Sequence, residues 1–129
     1  MKNTKLLIAL FLAFAASASA KQPTEAELDD WMLYVKSVGL PSTVETCGVI
    51  LKNDVQLKAA SATWLETNKE AIERGHAFTV ANHPKNGKSL DEYNTAMVED
   101  FKIKFGKQPE EFKTSWCQKY AGSLDKSAK

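Results

Sequence analysis

The sequence has few of the side chains on which most metalloproteins and many enzymes depend. Its 129 residues include only two histidines, His76 and His83, and two cysteines. Because a metal site usually needs three or four ligands, we expect no bound metal. The sequence also has no G-x-S-x-G motif and no complete phosphate-binding loop. We therefore expect a protein that is not an enzyme and has no cofactor.

Positive charge is not in excess either. The chain has 17 Lys and Arg against 16 Asp and Glu, a net charge of +1. Without Lys2 and Lys5, which belong to the N-terminal segment discussed next, 15 basic residues stand against 16 acidic ones, a net charge of −1. Nucleic acids and anionic membranes attract clustered positive charge. We expect neither as the partner.

Only one long hydrophobic run is present, from Leu6 to Ala16, and it follows the two basic residues at the N-terminus. The run is shorter than the roughly 20 apolar residues that span a bilayer. Ala18-Ser19-Ala20 gives the small-x-small pattern after which signal peptidase cuts. The pattern predicts a cleaved signal peptide at 1–20, no membrane anchor after cleavage, and a periplasmic location, with secretion as the alternative.

The two cysteines, Cys47 and Cys117, each lie on the apolar face of a predicted helix. Structural disulfides form in oxidising compartments such as the periplasm. We therefore predict a disulfide between these residues that closes most of the domain into a loop. Free thiols or an intermolecular disulfide are the alternatives.

Helix signals recur along the rest of the chain. Capping boxes, in which a Ser or Thr is followed by Glu three residues later, begin at Thr24, Ser42 and Ser89. Gly39 and Pro41 are typical of a helix end. We predict that the first helix ends there and that a second begins at Ser42.

A third, long helix is predicted from Val55 through Ile72, with Gly75 as a possible kink or end. The fourth follows Ser89, and the fifth runs from Pro109 to Gly122. No convincing strand pattern occurs. The sequence predicts an all-α bundle of four to five helices closed by one long-range disulfide. It is organised as a signal peptide at 1–20, one domain at 21–122 and a polar flexible tail at 123–129.

The first predicted helix has an apolar stripe that we expect to face the core. The stripe consists of Leu28, Trp31, Met32, Val35 and Val38. The opposite face, which we expect to be solvated, carries Glu25, Asp29, Asp30 and Lys36. The three tryptophans, Trp31, Trp64 and Trp116, are expected core anchors, unless one is an exposed hot spot of a binding surface.

Two surface sites are candidates for binding. Leu65 and Ile72 would form a second apolar strip on the long third helix, and a helix that is apolar on two sides is buried or binds a partner. Lys85, Lys88 and Ser89 lie at the predicted start of the fourth helix, where free backbone N–H groups favour an anion.

These observations favour a binding protein that acts through protein–protein interaction, such as an inhibitor, a toxin-neutralising protein, an adaptor or a chaperone-like factor. The partner's identity and the oligomeric state are left open. The alternative is a carrier that holds a small apolar ligand or haem between helices. Met32 and Met97 are available as haem ligands beside a histidine.

Overall fold

The computed structural model describes residues 22–84 and 87–126, and five helices lie within them. They are α1 (Glu25–Leu51), α2 (Asp54–Thr67), α3 (Lys69–Asn82), α4 (Leu90–Gly106) and α5 (Glu110–Lys126). No strand occurs in these ranges. The prediction of an all-α bundle closed by one disulfide is therefore confirmed. The predicted signal peptide at 1–20 lies outside the described residues.

The longest helix, α1, is the one against which the others pack. α2 and α3 run antiparallel to it, because the start of α2 lies beside Gly48 and Arg74 of α3 pairs with Asp30. α4 runs parallel to α1. α5 runs antiparallel again, from the Cys47–Cys117 disulfide to Ser123, which accepts a hydrogen bond from Lys36. The result is an up-down-up-down bundle in which α2 and α3 together form the second, antiparallel segment.

α1 continues through Gly39 and Pro41, so the predicted helix end at these residues is wrong. Proline has no N–H to donate to the carbonyl group four residues earlier, which normally breaks a helix. Here Leu40 and Val44 on either side of Pro41 are buried in the core. Their burial outweighs the local stop signal, and Ser42 lies in mid-helix instead of capping a new one.

The predicted long third helix is divided at Asn68, which separates α2 from α3. The Asn68 side-chain amide donates to the Trp64 carbonyl oxygen at 2.9 Å, and its backbone N–H donates to the same oxygen at 3.0 Å. Asparagine competes for backbone groups in this way and so weakens helix interiors. Gly75, the expected break, lies inside α3.

The last helix extends beyond its predicted end at Gly122. α5 runs to Lys126, and Leu124 is only 3% exposed because it packs in the core. Residues 123–126 are therefore helical, and the prediction of a flexible tail is wrong for them. The rest of that segment, 127–129, lies outside the described residues.

The hydrophobic core is concentrated around the disulfide. Cys47 and Cys117 are fully buried, with Cα atoms 5.3 Å apart. We call residues 40–67 and 101–126 the disulfide half, and residues 25–39, 69–82 and 90–100 the open half. The disulfide half contains nearly all the buried apolar side chains: Leu40, Val44, Leu57, Trp64, Phe105 and Leu124. In the open half, the buried residues are Tyr34 and Gly75.

Candidate functional site

Towards the N-terminus of α1, the apolar stripe is exposed and is no longer packed in the core. Leu28 is 42% exposed, Trp31 39% and Met32 62%, so the prediction that this stripe faces the core is wrong for its first turns. Val35 and Val38 further along are partly buried. The contacts that hold the first three turns of α1 are to α3 and α4, while α5 meets α1 from Cys47 to Lys36. The stripe therefore extends past the part of the bundle that covers it.

Trp31 forms one wall of an open cleft between α1, α3 and α4, with a volume of about 510 Å³. Phe78 and Tyr93 line the same cleft, and the rings of Tyr93 and His83 meet edge to face with centroids 5.9 Å apart. His83 Nε2 lies 2.9 Å from the Lys88 carbonyl oxygen, which joins the two ends of the loop between α3 and α4. We call this site the aromatic cleft.

A few specific contacts hold the helices that surround the aromatic cleft. Arg74 of α3 donates two hydrogen bonds to the Asp30 carboxylate, at 2.8 and 3.2 Å, and the pairing raises the pKa of Arg74. Gly75 lies so close to α1 that an added Cβ would be 2.6 Å from the Asp30 carbonyl carbon. Asn94 of α4 donates to the Tyr34 hydroxyl at 2.8 Å. The packing of the open half thus depends more on the close approach of α3 to α1 and on polar contacts than on buried apolar area.

A second cavity, of about 290 Å³, lies between α1, α4 and α5. Its walls are mainly apolar, and its aromatic side belongs to a cluster in which the Trp116 ring lies 5.1 to 5.3 Å from its neighbours. We call it the Lys36 cavity. It is lined by Val35, Lys36, Gly39, Ser42, Thr43, Met97, Val98, Phe101, Trp116 and Tyr120.

Lys36 is not on a solvated face, contrary to the prediction from the sequence. Its Nζ lies 5.0 Å from the centroid of the Trp64 ring and 5.4 Å from that of Tyr120, which is cation–π geometry. The same Nζ donates to Ser123 Oγ at 2.8 Å. Desolvation by burial lowers the pKa of Lys36. Nothing in the local sequence of α1 indicated this site, because its aromatic partners lie on α2 and α5.

The phenol of Tyr120 is also perturbed. Burial raises its pKa to about 12, while a hydrogen bond with the Thr43 hydroxyl acts in the opposite direction. The group is therefore protonated at neutral pH, and because Thr43 donates to the Gly39 carbonyl oxygen, the phenol donates to the Thr43 hydroxyl. The Lys36 cavity thus has an ammonium group beside mainly apolar walls.

The three tryptophans have different environments. Trp64 is 1% exposed and belongs to the core, as predicted, and Trp116 packs against the core in the aromatic cluster. Trp31 is instead exposed at the aromatic cleft. The sequence pattern allowed for one exposed tryptophan but gave no means to tell which one it was.

Leu65 and Ile72 do not form one strip, because the break at Asn68 places them on different helices. Leu65 on α2 is 39% exposed, whereas Ile72 on α3 is partly buried and packs against the core. The predicted continuous strip is therefore wrong. A role for Leu65 alone in an interface stays a prediction.

The predicted anion site is only partly within the described residues, because Lys85 lies outside them. Ser89 is the N-cap of α4: its hydroxyl accepts from the Glu92 N–H at 3.2 Å and donates to the Glu92 carboxylate at 3.1 Å. Lys88 adjoins it in the loop and lines the aromatic cleft. The Ser89 hydroxyl is therefore already hydrogen-bonded to the Glu92 carboxylate. Anion binding at this site stays a prediction.

The two cavities differ in the groups that could bind a metal or haem. His83 lines the aromatic cleft and Met97 lines the Lys36 cavity, so neither cavity has a His–Met pair. His76 packs against Tyr34, with ring centroids 5.2 Å apart. Over residues 22–84 and 87–126, no group of three or more His, Cys, Asp or Glu side chains is arranged to hold a metal ion.

Across those same ranges, no helix has the length and apolar character needed to cross a membrane. Comparison with protein-family models, with curated proteins and with solved structures gives no match to this chain. The indications of function considered next are the aromatic cleft, the Lys36 cavity and the surfaces around them.

Proposed function

We propose that this protein is exported to the periplasm and acts by binding a protein partner at the aromatic cleft, without catalysis of its own. Two observations support export: the sequence pattern at 1–20 and a buried disulfide, which is typical of oxidising compartments. Mass analysis of the purified protein tests the first step. The expected chain begins at Lys21, and a periplasmic fraction should contain it.

The observation that carries the binding proposal is the exposed aromatic surface at the open half. Trp31 and Tyr93, which is 55% exposed, form the walls of the aromatic cleft. Leu28 and Met32 extend the same surface along α1. Tryptophan and tyrosine are enriched among the residues that dominate binding energy at protein interfaces. Contiguous apolar surface of this kind usually marks a site of interaction.

The partner that fits this surface inserts one or two apolar side chains into the cleft. Polar groups adjoin the cleft, since Lys88 lines it and Asp30, the residue next to Trp31 on α1, pairs with Arg74 of α3. Apolar anchors surrounded by a polar rim are the usual anatomy of a protein interface.

Site-specific photo-cross-linking in the cell tests the proposal. A cross-linker at position 31 should give one discrete partner, whereas one at position 58, on an exposed face of α2, should not. The purified partner should then bind the wild-type protein, and Trp31→Ala should weaken the affinity at least tenfold. Phe112→Ala is the matched control, because Phe112 is an aromatic residue of similar exposure on α5. Equal effects of both substitutions would exclude the aromatic cleft, and Leu65→Asp then tests the predicted surface on α2.

A second function, carriage of a small apolar ligand, is supported by the Lys36 cavity. Its walls are apolar and its volume of about 290 Å³ is close to the lower limit of small-molecule sites. The haem version of this function has less support, because the cavity is lined by Met97 without a histidine. The chemistry of the ligand follows from the polar groups at the cavity.

A further inference from the structure

The Lys36 cavity has one cationic group and no acidic group in its lining. Lys36 forms no ion pair with a carboxylate in the described part of the chain. An ammonium group has three N–H donors, and the observed acceptor is Ser123 Oγ. A partly buried cation that is stabilised mainly by aromatic faces has a strong preference for an anion that can reach it.

A further donor lies on the same wall. Tyr120 contributes mainly its ring, because its phenol is hydrogen-bonded to the Thr43 hydroxyl. The hydroxyl groups of Ser42 and Thr43 line the cavity, and Thr43 already donates to the Gly39 carbonyl oxygen at 2.7 Å. Lys36 and Ser42 therefore offer donors, while the opposite wall of Met97, Val98 and Phe101 offers only apolar surface. This distribution matches a ligand with one anionic end and one apolar end.

We propose that the Lys36 cavity binds an unbranched alkyl monocarboxylate, with its carboxylate against Lys36 and its chain between Val35, Met97 and Phe101. The proposal rests on the second of the two functions above and names the ligand class for it. If each non-hydrogen atom needs about the volume of a water molecule, ~30 Å³, a cavity of about 290 Å³ holds about ten such atoms. A medium-chain carboxylate has this size.

The aromatic cleft and the Lys36 cavity lie at successive positions along α1 and α4. Trp31, Val35 and Gly39 follow one another at four-residue spacing on α1, and Tyr93, Met97 and Phe101 do so on the parallel helix α4. The first member of each set lines the aromatic cleft, and the others line the Lys36 cavity. The two sites therefore follow one another along α1 and α4. A chain longer than about ten atoms would extend towards Trp31.

Binding to the oxidised protein is measured by calorimetry and by tryptophan fluorescence, since Trp116 lines the cavity. The probes are octanoate, decanoate, decanol and decyltrimethylammonium. Decanoate should bind most tightly, and from octanoate to decanoate the affinity should rise by up to about fourfold per methylene. Lys36→Met should weaken decanoate binding about tenfold or more and leave decanol unchanged, whereas Lys36→Arg should retain decanoate binding.

Lys102→Met is the matched control, because Lys102 is an exposed lysine on α4 that pairs with Glu99. It should change none of the affinities. Equal affinity for decanoate and decanol would overturn the proposed carboxylate site while leaving an apolar carrier in place. Failure of all four probes to bind would overturn both the carboxylate site and the apolar carrier. Folding of each variant is checked by near-ultraviolet circular dichroism, and if Lys36→Met does not fold, Lys36→Arg together with the probe series still decides the matter.

Discussion

Leu28 and Leu40 lie twelve positions apart on the same helix, yet Leu28 is 42% exposed and Leu40 is fully buried. The difference comes from what surrounds each end of α1. Around Leu40, α2 and α5 cover the helix and the disulfide ties α5 to it. Around Leu28, the contacts are to α3 and the first turns of α4. One half of the bundle is therefore a packed core and the other an open surface.

Stability and binding are thus assigned to different parts of one small domain. The disulfide half buries Trp64, Leu124 and both cysteines. The open half exposes Trp31 and Tyr93 and is held by the Asp30–Arg74 pair, the close approach of α3 to α1 at Gly75, and a hydrogen bond from α4 to α1. Binding surfaces are commonly drawn from the less stable part of a protein, because exposed apolar groups contribute little to folding. The predictions below test this division.

The largest effect is expected from loss of the disulfide. The cross-link joins residues 70 positions apart, and for a loop of this length the chain-entropy model gives about 4 kcal/mol. The double variant Cys47→Ala/Cys117→Ala should lower the free energy of unfolding by about this amount in urea denaturation. Hydrogen exchange should then show similar protection in the two halves. A loss below about 1 kcal/mol would mean that packing alone makes the disulfide half the more stable one.

The next largest effect is expected at the closest approach in the open half. In Gly75→Ala the new Cβ would lie 2.6 Å from the Asp30 carbonyl carbon and 2.8 Å from Tyr34 Cβ. Because these atoms belong to or adjoin the backbone of α1, the helices must separate, at a cost of about 3 kcal/mol. Thermal denaturation measures the loss, and Trp31 fluorescence should report the altered cleft.

Gly122→Ala is the matched control, because Gly122 is also within a helix but has no atom near the added Cβ. Alanine is the better helix former, so this variant should gain about 0.5–1 kcal/mol. Similar losses in both variants would show that Gly75 is not a point of close approach, and the open half would need another explanation for its geometry.

The local signals in the sequence predicted much of the secondary structure. Thr24 and Ser89 are N-caps as predicted, because their side chains bond to the backbone three residues later whatever surrounds them. Ser42 has the same pattern but lies within α1. Its signal was overridden because the burial of Leu40 and Val44 favours a continuous helix. Local rules hold where the chain is exposed and fail where tertiary packing is strong.

The candidate sites could not be predicted in the same way. Whether Leu28 and Trp31 are covered depends on where α5 ends and how α4 approaches, and neither is encoded in the stripe itself. Lys36 was predicted on the solvated face because it is charged and helical spacing groups it with Asp29 and Asp30. Its environment is set by Trp64 and Tyr120, which are distant in sequence. The cysteines were the exception, since a chain with two cysteines has only one possible intramolecular disulfide.

A smaller effect is expected at the boundary of the two halves, from titration of Tyr120. Its pKa of about 12 in the folded protein is above the ordinary value of 10.0, so the folded state binds the phenol proton more tightly. This contribution is fully present below pH 10 and is lost as the pH rises from 10 to 12. Two pH units correspond to at most about 2.7 kcal/mol, and we expect about 1–2 kcal/mol because the cavity is open to solvent.

Tyr120→Phe should remove this part of the pH dependence, as measured by urea denaturation at pH 9 and pH 11.5. Lys36 acts in the opposite direction, since its lowered pKa makes stability rise as the pH approaches the ordinary value of 10.5. The difference between wild type and Tyr120→Phe isolates the phenol. Parallel curves for the two proteins would show that Tyr120 is not desolvated by the fold.

The smallest effect is expected from the hydrogen bond that joins α4 to α1 in the open half. Asn94→Ala removes the donor to the Tyr34 hydroxyl, at a cost of about 1 kcal/mol. Tyr34→Phe removes the acceptor, and the double variant should cost less than the sum of the two single changes, because neither group is then left unpaired. Since Phe105 is anchored in the core at the other end of α4, hydrogen exchange should increase in the first turns of α4 and stay unchanged in the last. Equal exchange at both ends would mean that α4 opens as one unit. The whole of α4 would then belong to one half, instead of being divided between the two.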